Sequence, residues 1–550
     1  MTVVPAPRLR RFQVAALAVV AYIPLLAAAP GRLVGDTKLY LYLDPGRLIS
    51  DAAYSWDSRQ FGGWVPHQVI AYLWPQGPWY WCFDRLGVPD WIAHRLWLGT
   101  LLFVAAMGVR WLARLLGLGI TASVVAAVVY QLSPYVLPYI SRTSAMLLPW
   151  AALGWIIGLT IVATRDSSRW RAPAALALVL VSCSAVNATA VLMIAPAPVL
   201  WLVDAAARRT ITWRAAAAVA ARVSVLSLGV SAWWIVMLRI QGRYGADVLG
   251  FSESVEATSF TTASTEVLRG MGYWLFYIRD PHSFATTASS RYMGSGSLIA
   301  VGFLLLVVCL AGLALVRWSS RRFAALLVFV GAIVAVGVHP IGDPSPLMSA
   351  VASDTRSALP LALRSSARAV PLVVLGLALG AAALSDAVAA VPVRRVRWRR
   401  LPAALPGLVV ALALLNMPAL FTGDIIDPAL QRDESPPAAW IDAAATLDAT
   451  GSDSRVMQLP GAEFGAYRWG YTADPPLVGL TTKPVLTRDL LPLGSAQLTD
   501  LFYALDDRLQ AGVLEPESVA PVARLLGVDT VWLPNDLAFE RYRNPWPAEA

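Results

Sequence analysis

The apolar run SLIAVGFLLLVVCLAGLALV, residues 297–316, decides the class of this chain. A run of about 20 apolar residues without a charge is long enough to cross a bilayer as one α-helix. Over all 550 residues, 57% are hydrophobic and only 14% are charged, whereas soluble proteins average roughly 45–50% and about 25%. This composition excludes a soluble enzyme, a disordered chain and a fibrous repeat, and it predicts a polytopic α-helical membrane protein.

Ten further apolar segments accompany this run, so the sequence predicts about 11 transmembrane helices. The first of them follows Arg8, Arg10 and Arg11 and resembles the core of a signal peptide. No convincing small-residue cleavage site comes after it, and we therefore interpret it as a retained helix. The ten segments lie near 12–29, 91–109, 119–139, 145–164, 173–187, 188–204, 223–238, 323–338, 369–391 and 402–421.

Arginine supplies nearly all the basic charge, because Lys38 and Lys483 are the only lysines among 44 basic residues. The prediction of eleven helices places six short arginine clusters on one side of the membrane, and the positive-inside rule makes that side the cytoplasm. The net charge of +9 therefore reflects topology and not a nucleic-acid partner. The clusters are Arg8, Arg10 and Arg11; Arg110 and Arg114; Arg165, Arg169 and Arg171; Arg208, Arg209, Arg214 and Arg222; Arg317, Arg321 and Arg322; and Arg394, Arg395, Arg397, Arg399 and Arg400.

The same topology turns the long connections outward. These are residues 30–90, 239–296 and 339–368, all within a membrane domain that we assign to residues 1–421. Carboxylates concentrate in the first of them. We therefore expect any chemistry to take place on the extracytoplasmic side of the membrane.

From residue 422 to residue 550 the composition changes to that of a small extracytoplasmic α/β domain. RVMQLP (455–460) and VDTVWLPND (528–536) are typical of short buried strands. SPPAAWIDAAATLDA (435–449) predicts a helix with Ser435 as a possible N-cap.

The most informative stretch for function is GRLVGDTKLYLYLDPGRLISDAAYSWDSRQFGGW, residues 31–64. Asp36 follows the first helix closely and would lie near the membrane surface. A carboxylate there can meet a substrate whose reactive end is tethered to a lipid, and it can deprotonate an acceptor hydroxyl. The alternative interpretation is a solvated loop acid.

Other outward residues could contact the substrate. His67, Trp74 and Trp79 lie in an aromatic stretch that is either an interfacial belt or a stacking surface for sugar rings or a polyprenyl chain. Glu253, in the second outward loop, could face Asp36 across a cavity, and a solvated acid is the alternative.

Arg364 and Arg368 precede the tenth helix at a spacing of four residues, on the side that should be poor in arginine. Guanidinium groups match phosphate oxygens with two parallel hydrogen bonds, so these residues suit the phosphate of a lipid-linked donor. Snorkelling to lipid headgroups is the alternative.

Common cofactor motifs are absent from the sequence. It contains no Walker A loop, no GxGxxG fingerprint and no GxSxG elbow. It also contains no pairs of His or Cys residues spaced for zinc. We identify no certain cofactor, and a divalent cation held by Asp36 and another carboxylate stays open.

Taken together, these features resemble the GT-C class of membrane glycosyltransferases. The sequence is similar to the N-terminal portion of the actinobacterial α-(1→3)-arabinofuranosyltransferases of the AftD family. The stretches that carry the resemblance are DTKLYLYLDPGRLISDAAYSWD, YLWPQGPWY, VPDWIAHRLWLG, ESVEATSFTTASTEVLRG, LRSSARAVPLVVLGLALG, RVMQLPGAEFGAYRWG and DLLPLGSAQ. Recognised members are far longer and continue into carbohydrate-binding modules and further spans.

The resemblance implies an enzyme of the bacterial inner membrane that takes arabinofuranose from decaprenyl-phosphoryl-arabinose and adds it to a cell-envelope arabinan. Asp36 would be the general base and Glu253 the acid of the second outward loop, while Arg364, Arg368 and Lys38 would bind the donor phosphate. Some relatives associate with an acyl carrier protein, which the cytoplasmic arginines could bind.

Two rival functions stay open at this stage. The first is a GT-C transferase for another polyprenyl-phosphate sugar such as mannose. The second is a lipid-linked glycan transporter or a scaffold without activity, although a transporter pathway should place ionisable residues inside the spans.

Overall fold

The computed structural model describes residues 7–36, 38–66, 71–247, 254–280, 283–346, 348–349, 364–390, 401–489 and 491–541. Apolar helices, most of them long, form the bundle that the described residues build as far as Leu415. They are α1 (Pro7–Ala27), α2 (Asp90–Leu115), α3 (Ile120–Gln131), α4 (Leu148–Arg165), α5 (Arg171–Val181), α6 (Ala188–Ile194), α7 (Pro196–Ala207), α8 (Trp213–Tyr244), α9 (Gly296–Leu315), α10 (Arg321–Val336), α11 (Val370–Ala389) and α12 (Leu401–Leu415).

Each of the eleven predicted apolar segments overlaps one of these helices, and the segment near 188–204 is divided between α6 and α7. Seven helical stretches of the described chain are long and apolar enough to cross a membrane. They are Asp90–Leu115, Ile120–Ile140, Ser144–Arg165, Ala188–Ala207, Trp213–Tyr244, Gly296–Leu315 and Ser366–Ala389. A total of eleven crossings stays a prediction.

Helix α11 forms the centre of the bundle, because α3, α9, α10 and α12 all pack against it. Close approach depends on glycine: Gly312 of α9 faces Gly380 of α11, and a Cβ atom at Gly312 would collide with the Gly380 carbonyl. Small residues at such crossings let two helix backbones come together in a membrane.

Short helices lie in the connections between and after the long ones, and the first connection carries the predicted residues Asp36, Lys38, Trp74 and Trp79. The short helices are Tyr40–Leu43, Pro45–Asp51, Gln76–Arg85, Leu137–Ile140, Val255–Ser259, Ser264–Leu268, Ser289–Gly294 and Ala419–Thr422.

The strands of the described residues belong to two sheets. They are β1 (Arg32–Val34), β2 (Gln431–Asp433), β3 (Arg455–Gln458), β4 (Gly465–Tyr467), β5 (Gly470–Ala473), β6 (Val485–Leu486) and β7 (Val528–Trp532). One sheet is antiparallel with the order β1-β2-β5-β4, and the other is parallel with the order β6-β3-β7.

The parallel sheet is covered on both faces, as expected of an α/β unit. Val456 packs with Trp440 and Leu447 of α13 (Ala438–Ala449), whereas Met457 packs with Phe502 of α14 (Ala496–Gln510) and Leu526 of α15 (Pro516–Leu526). The predicted strands coincide with β3 and β7. The cap prediction is wrong, because Pro437 precedes the first turn of α13 and no side chain caps it.

This α/β unit is joined to the first loop of the membrane domain along two strands. Residues of β1 pair with residues of β2, about 400 positions later in the chain, in the register Leu33 to Arg432. At the other sheet the amide of Val485 donates to the carbonyl of Arg59 at 2.7 Å. The predicted division at residue 422 therefore separates segments that share a sheet.

Candidate active site

Asp36 is held at the junction between β1 and the helix bundle. The amide of Gly35 donates to the Leu430 carbonyl at 3.1 Å, which directs the next residue towards the helices. There the Asp36 Oδ1 atom accepts from the Ser144 amide at 2.5 Å, and Oδ2 lies 3.1 Å from the Nε2 atom of His94. The Asp36 side chain is fully buried, so both carboxylate oxygens are occupied and shielded from solvent.

The neighbouring residues determine which nitrogen of His94 carries the proton. Arg95 Nη1 lies 2.6 Å from His94 Nδ1, and a guanidinium can only donate. Nδ1 therefore accepts, and Nε2 carries the proton and donates to Asp36. Arg95 Nη2 also donates to the Arg32 carbonyl at 2.8 Å, so β1 and the first turns of α2 are joined through this cluster.

The sequence interpretation overlooked His94 and Arg95. The available signal is a pair of polar residues one turn into an otherwise apolar helix, in the stretch DWIAHRLWLG. Ionisable residues in such a position are rare and usually have a specific partner. The partner, Asp36, is 58 residues away in the chain.

The connection between α3 and α4 lies between Asp36 and the predicted residue Arg368. Ser144 of this connection binds Asp36, and Tyr139 stacks on Tyr273 with ring centroids 4.8 Å apart. The guanidinium of Arg368 lies 5.9 Å from the Tyr273 ring and donates to Asn187 Oδ1 at 3.2 Å. Asp36 and the buried Arg368 therefore approach the same connection.

Arg364 and Arg368 occupy different environments despite their spacing. Arg364 lies in a turn and is partly exposed, whereas Arg368 belongs to the 3-10 helix Ser366–Ala369 and is buried. Their roles in phosphate binding stay predictions.

The Lys38 side chain points towards the α/β unit. Its Nζ atom lies 2.9 Å from Asp474 Oδ1, and the Leu39 amide donates to Asp474 Oδ2 at 3.1 Å. Burial, the largest single effect, acts to lower the pKa of Lys38. The charge and hydrogen bond of Asp474, with smaller contributions from Tyr72 and Asp489, nevertheless raise that pKa above its ordinary value. The ammonium group is therefore charged and already paired with a carboxylate.

The two predicted tryptophans make different contacts. Trp79 packs against Phe83 and Trp97 and donates its indole N–H to the Ala93 carbonyl at 3.0 Å, which fixes the helix Gln76–Arg85 to α2. Trp74 is 51% exposed and donates to Ser182 Oγ at 2.9 Å. Substrate binding by either residue stays a prediction.

Two predicted site residues, His67 and Glu253, lie outside the described residues. The pairing of Glu253 with Asp36 is therefore untested. Among the described residues, no three His, Cys, Asp or Glu side chains are grouped so that they could hold a metal ion.

Arg142 is a further buried residue that the sequence interpretation did not identify. Its Nη2 atom donates to the Ala285 carbonyl at 2.6 Å, and its guanidinium lies 5.5 Å from the Tyr471 ring. It therefore connects the α3–α4 connection to β5 and supports the wall of the site.

Comparisons with known proteins agree with this architecture. Residues 20–550 match the family model of the α-(1→3)-arabinofuranosyltransferase N-terminal GT-C domain. Alpha-(1→3)-arabinofuranosyltransferases of Mycolicibacterium smegmatis and Mycobacterium tuberculosis are each 31% identical to this chain over 95% of its length. The match covers 37% of the first protein and 38% of the second, so the chain spans less than two fifths of these relatives.

A solved structure shows the same likeness in three dimensions. The cryo-EM structure of the arabinofuranosyltransferase AftD from mycobacteria superposes with a TM-score of 0.76 and 26% identity, over 98% of this chain and 36% of that one. The apolar helices of the bundle fit a multi-pass membrane protein. The chain belongs to the family of the N-terminal GT-C domain of α-(1→3)-arabinofuranosyltransferases.

Proposed function

We propose that this chain transfers an arabinofuranosyl unit from decaprenyl-phosphoryl-arabinose to an arabinan of the cell envelope. The observation that carries the proposal is the structural likeness to AftD over 98% of the chain. The names of the two 31% identical relatives support the same sugar and the same type of reaction.

The chemistry requires one base and stabilisation of a departing phosphate. The acceptor hydroxyl gives its proton to a carboxylate while its oxygen forms a bond to the anomeric carbon of the donor. The bond between that carbon and the phosphate oxygen breaks, and the electron pair leaves with the lipid phosphate. No separate general acid is needed, because the phosphate leaves as a stable anion.

Asp36 is the proposed base. In this structure the acceptor hydroxyl would have to replace the His94 N–H at Oδ2, because that contact comes from a side chain. The Ser144 amide at Oδ1 belongs to the main chain and would keep the carboxylate in place. The neutral His94 then serves as a positioning residue that holds Asp36 until the acceptor arrives.

Arg368 is the proposed ligand of the donor phosphate, with Arg364 beside it. The guanidinium of Arg368 lies against Tyr273, close to the connection that also holds Asp36. A planar cation there would balance the charge that develops on the leaving phosphate. Lys38 suits this role less well, because its charge is already balanced by Asp474.

We further propose that the site faces the extracytoplasmic side of the inner membrane. Contacts between arginine clusters support this topology: Arg208 of one cluster and Arg322 of another both pair with the buried Asp204, at 2.8 and 3.3 Å. Clusters that meet at one carboxylate lie on one side of the bundle, and the positive-inside rule makes that side cytoplasmic. An acyl carrier protein as a partner of this face stays a prediction.

The proposal is tested by offering the purified protein two labelled donors, decaprenyl-phosphoryl-arabinose and a polyprenyl-phosphoryl-mannose, with a short arabinan acceptor. We expect labelled arabinose in the product and release of decaprenyl phosphate. Transfer of mannose alone would contradict the sugar assignment and retain the chemistry. Absence of transfer from both donors, with donor binding intact, would favour a scaffold.

A further inference from the structure

Five polar side chains interact where the first loop meets the α/β unit, and we call their partly exposed surface the recess. They are Lys38, Tyr40, Tyr72, Asp474 and Asp489. Lys38 and Asp474 keep 32% and 21% of their side-chain surface exposed. The recess is therefore open to solvent, in contrast to the closed surroundings of Asp36.

Asp489 follows β6, at the carboxyl end of a parallel strand, where open α/β sheets commonly bind ligands. Its main chain is fixed, because Tyr503 Oη donates to the Asp489 carbonyl at 2.9 Å. Arg488 is likewise held, by the buried Asp506 at 3.0 Å. The carboxylate of Asp489, however, makes no hydrogen bond to any other described residue and is only partly buried. Within the described part of the chain, it is a positioned acceptor to which no donor is bound.

The charges of the recess favour a neutral ligand. Burial is the largest cause that raises the pKa of Asp489 to about 7, with Lys38 opposing the rise and Asp474 adding to it. At neutral pH, Asp489 is therefore about half ionised, and together with the Lys38–Asp474 pair the recess carries a net charge between zero and minus one. A phosphate group would meet carboxylates there, and its binding would be unfavourable.

Hydroxyl groups complete the lining. The Tyr40 Oη atom is buried and has no hydrogen-bond partner among the described residues. Such an atom is costly to leave unsatisfied, which calls for a ligand or water beside it. Burial raises the pKa of Tyr72 to about 12, with Lys38 opposing the rise and Asp474 and Asp36 adding to it, so its hydroxyl stays neutral. An unpaired acceptor, phenolic hydroxyls and an ammonium match a neutral polyhydroxyl compound.

We propose that this recess is a subsite for one sugar unit of the glycan acceptor, whose hydroxyls donate hydrogen bonds to Asp489. The assignment of that sugar as an acceptor rests on the proposed function. The position fits, because Lys38 lies only two residues from Asp36 in the chain. The charges of Asp474 and Asp36 also both raise the pKa of Tyr72. A sugar held in the recess would extend its neighbouring unit towards Asp36.

The test measures binding of a short arabinofuranose oligosaccharide to the purified chain by titration calorimetry, without donor. We expect Asp489→Asn to raise the Kd about tenfold or more, since hydrogen bonds to a charged group are lost. Asp489→Ala should do the same, and it covers the case in which the amide substitutes for the carboxylate. Asp442→Asn, on the exposed face of α13, is the matched control and should leave the Kd unchanged.

The pH dependence gives a second readout. In the wild type, affinity should fall as the pH drops below about 7, because Asp489 becomes protonated beside Lys38, Asp474, Tyr72 and Tyr503. In Asp489→Asn the dependence should be flat over that range. Melting temperatures of all variants, measured alongside, identify any that fail to fold.

The outcomes separate this proposal from the proposed function. Wild-type affinity in both Asp489 variants, or no oligosaccharide binding by the wild type, overturns the subsite even if arabinose transfer is observed. Loss of binding in both Asp489 variants supports the subsite even if no donor reacts. Displacement of the oligosaccharide by inorganic phosphate would assign the recess to an anion and would also overturn it.

Discussion

The carboxylates of Asp36 and Asp489 are held in opposite ways. Both oxygens of Asp36 are occupied, by His94 and the Ser144 amide, and the side chain has no contact with solvent. Asp489 is partly exposed, its carboxylate has no hydrogen-bond donor among the described residues, and its pKa is raised to about 7, mainly by burial. The first arrangement fixes a geometry, whereas the second leaves an acceptor free for a ligand. We therefore assign catalysis to the first and acceptor binding to the second.

The largest expected effect concerns Asp36. We expect Asp36→Asn to lower the initial rate of arabinose transfer about 10²-fold or more, because the amide cannot accept the proton of the acceptor hydroxyl. The rate is measured with labelled donor at saturating acceptor, together with the elution profile and melting temperature. A rate within threefold of the wild type, in a folded variant, would remove Asp36 from the chemistry.

Arg95 tests whether the ordered surroundings of Asp36 matter for catalysis. Arg95→Met leaves His94 Nδ1 and the Arg32 carbonyl without donors, and each buried unsatisfied group costs about 1–3 kcal/mol. We expect a lower melting temperature and a roughly tenfold lower kcat, with an unchanged KM for the acceptor. A merely structural role would lower the melting temperature and leave kcat per folded molecule unchanged.

Much of the helical bundle could be predicted from the sequence, because long uncharged runs have few alternatives to a membrane helix. Strands β3 and β7 could also be predicted from local sequence, because short apolar runs bounded by turn residues are typical of buried strands. The pairing of β1 with β2 could not, since a strand of three residues carries no signal for a partner about 400 positions away. Ser435 does not cap the helix, because two prolines follow it and the helix begins only at Ala438.

The candidate site was predictable only in part, for a related reason. Asp36 and Lys38 share a recognisable segment, so both could be identified, but their environments depend on distant residues. Burial of Asp36 depends on His94 and Ser144, and the pairing of Lys38 depends on Asp474. Asp489 lies in an ordinary loop sequence, and its pKa is raised by burial in the folded chain and by the charge of Asp474.

Substitution of Asp474 tests whether neighbouring charges control the ionisation of Asp489. The negative charge of Asp474 raises the pKa of Asp489, and Asp474 also holds Lys38. Asp474→Asn removes that negative charge and leaves the Lys38 ammonium without its carboxylate partner. Both changes favour ionised Asp489, so the midpoint of the pH dependence of acceptor binding should move below its wild-type position near pH 7. Titrations across pH 5 to 9 measure this midpoint. An unchanged or higher midpoint would show that the two carboxylates do not interact.

The smallest expected effect is on stability. The pKa of Asp489 in the fold, about 7, lies above that of an unfolded aspartic acid. The folded protein therefore loses stability as the pH rises from the unfolded value through about 7. Asp489→Asn removes this loss, so we expect a higher melting temperature than the wild type near pH 8 and a smaller difference near pH 5. Equal melting temperatures at both pH values would argue against the raised pKa.

The most direct test of the two assignments is one set of initial-rate measurements over a range of acceptor concentrations. The wild type, Asp36→Asn, Asp489→Asn and the control Asp442→Asn are compared with the same labelled arabinose donor. We expect Asp36→Asn to lower kcat, Asp489→Asn to raise the KM for the acceptor with kcat largely retained, and the control to change neither. A fall in kcat for Asp489→Asn at unchanged KM, or a normal kcat for Asp36→Asn, would contradict the two assignments.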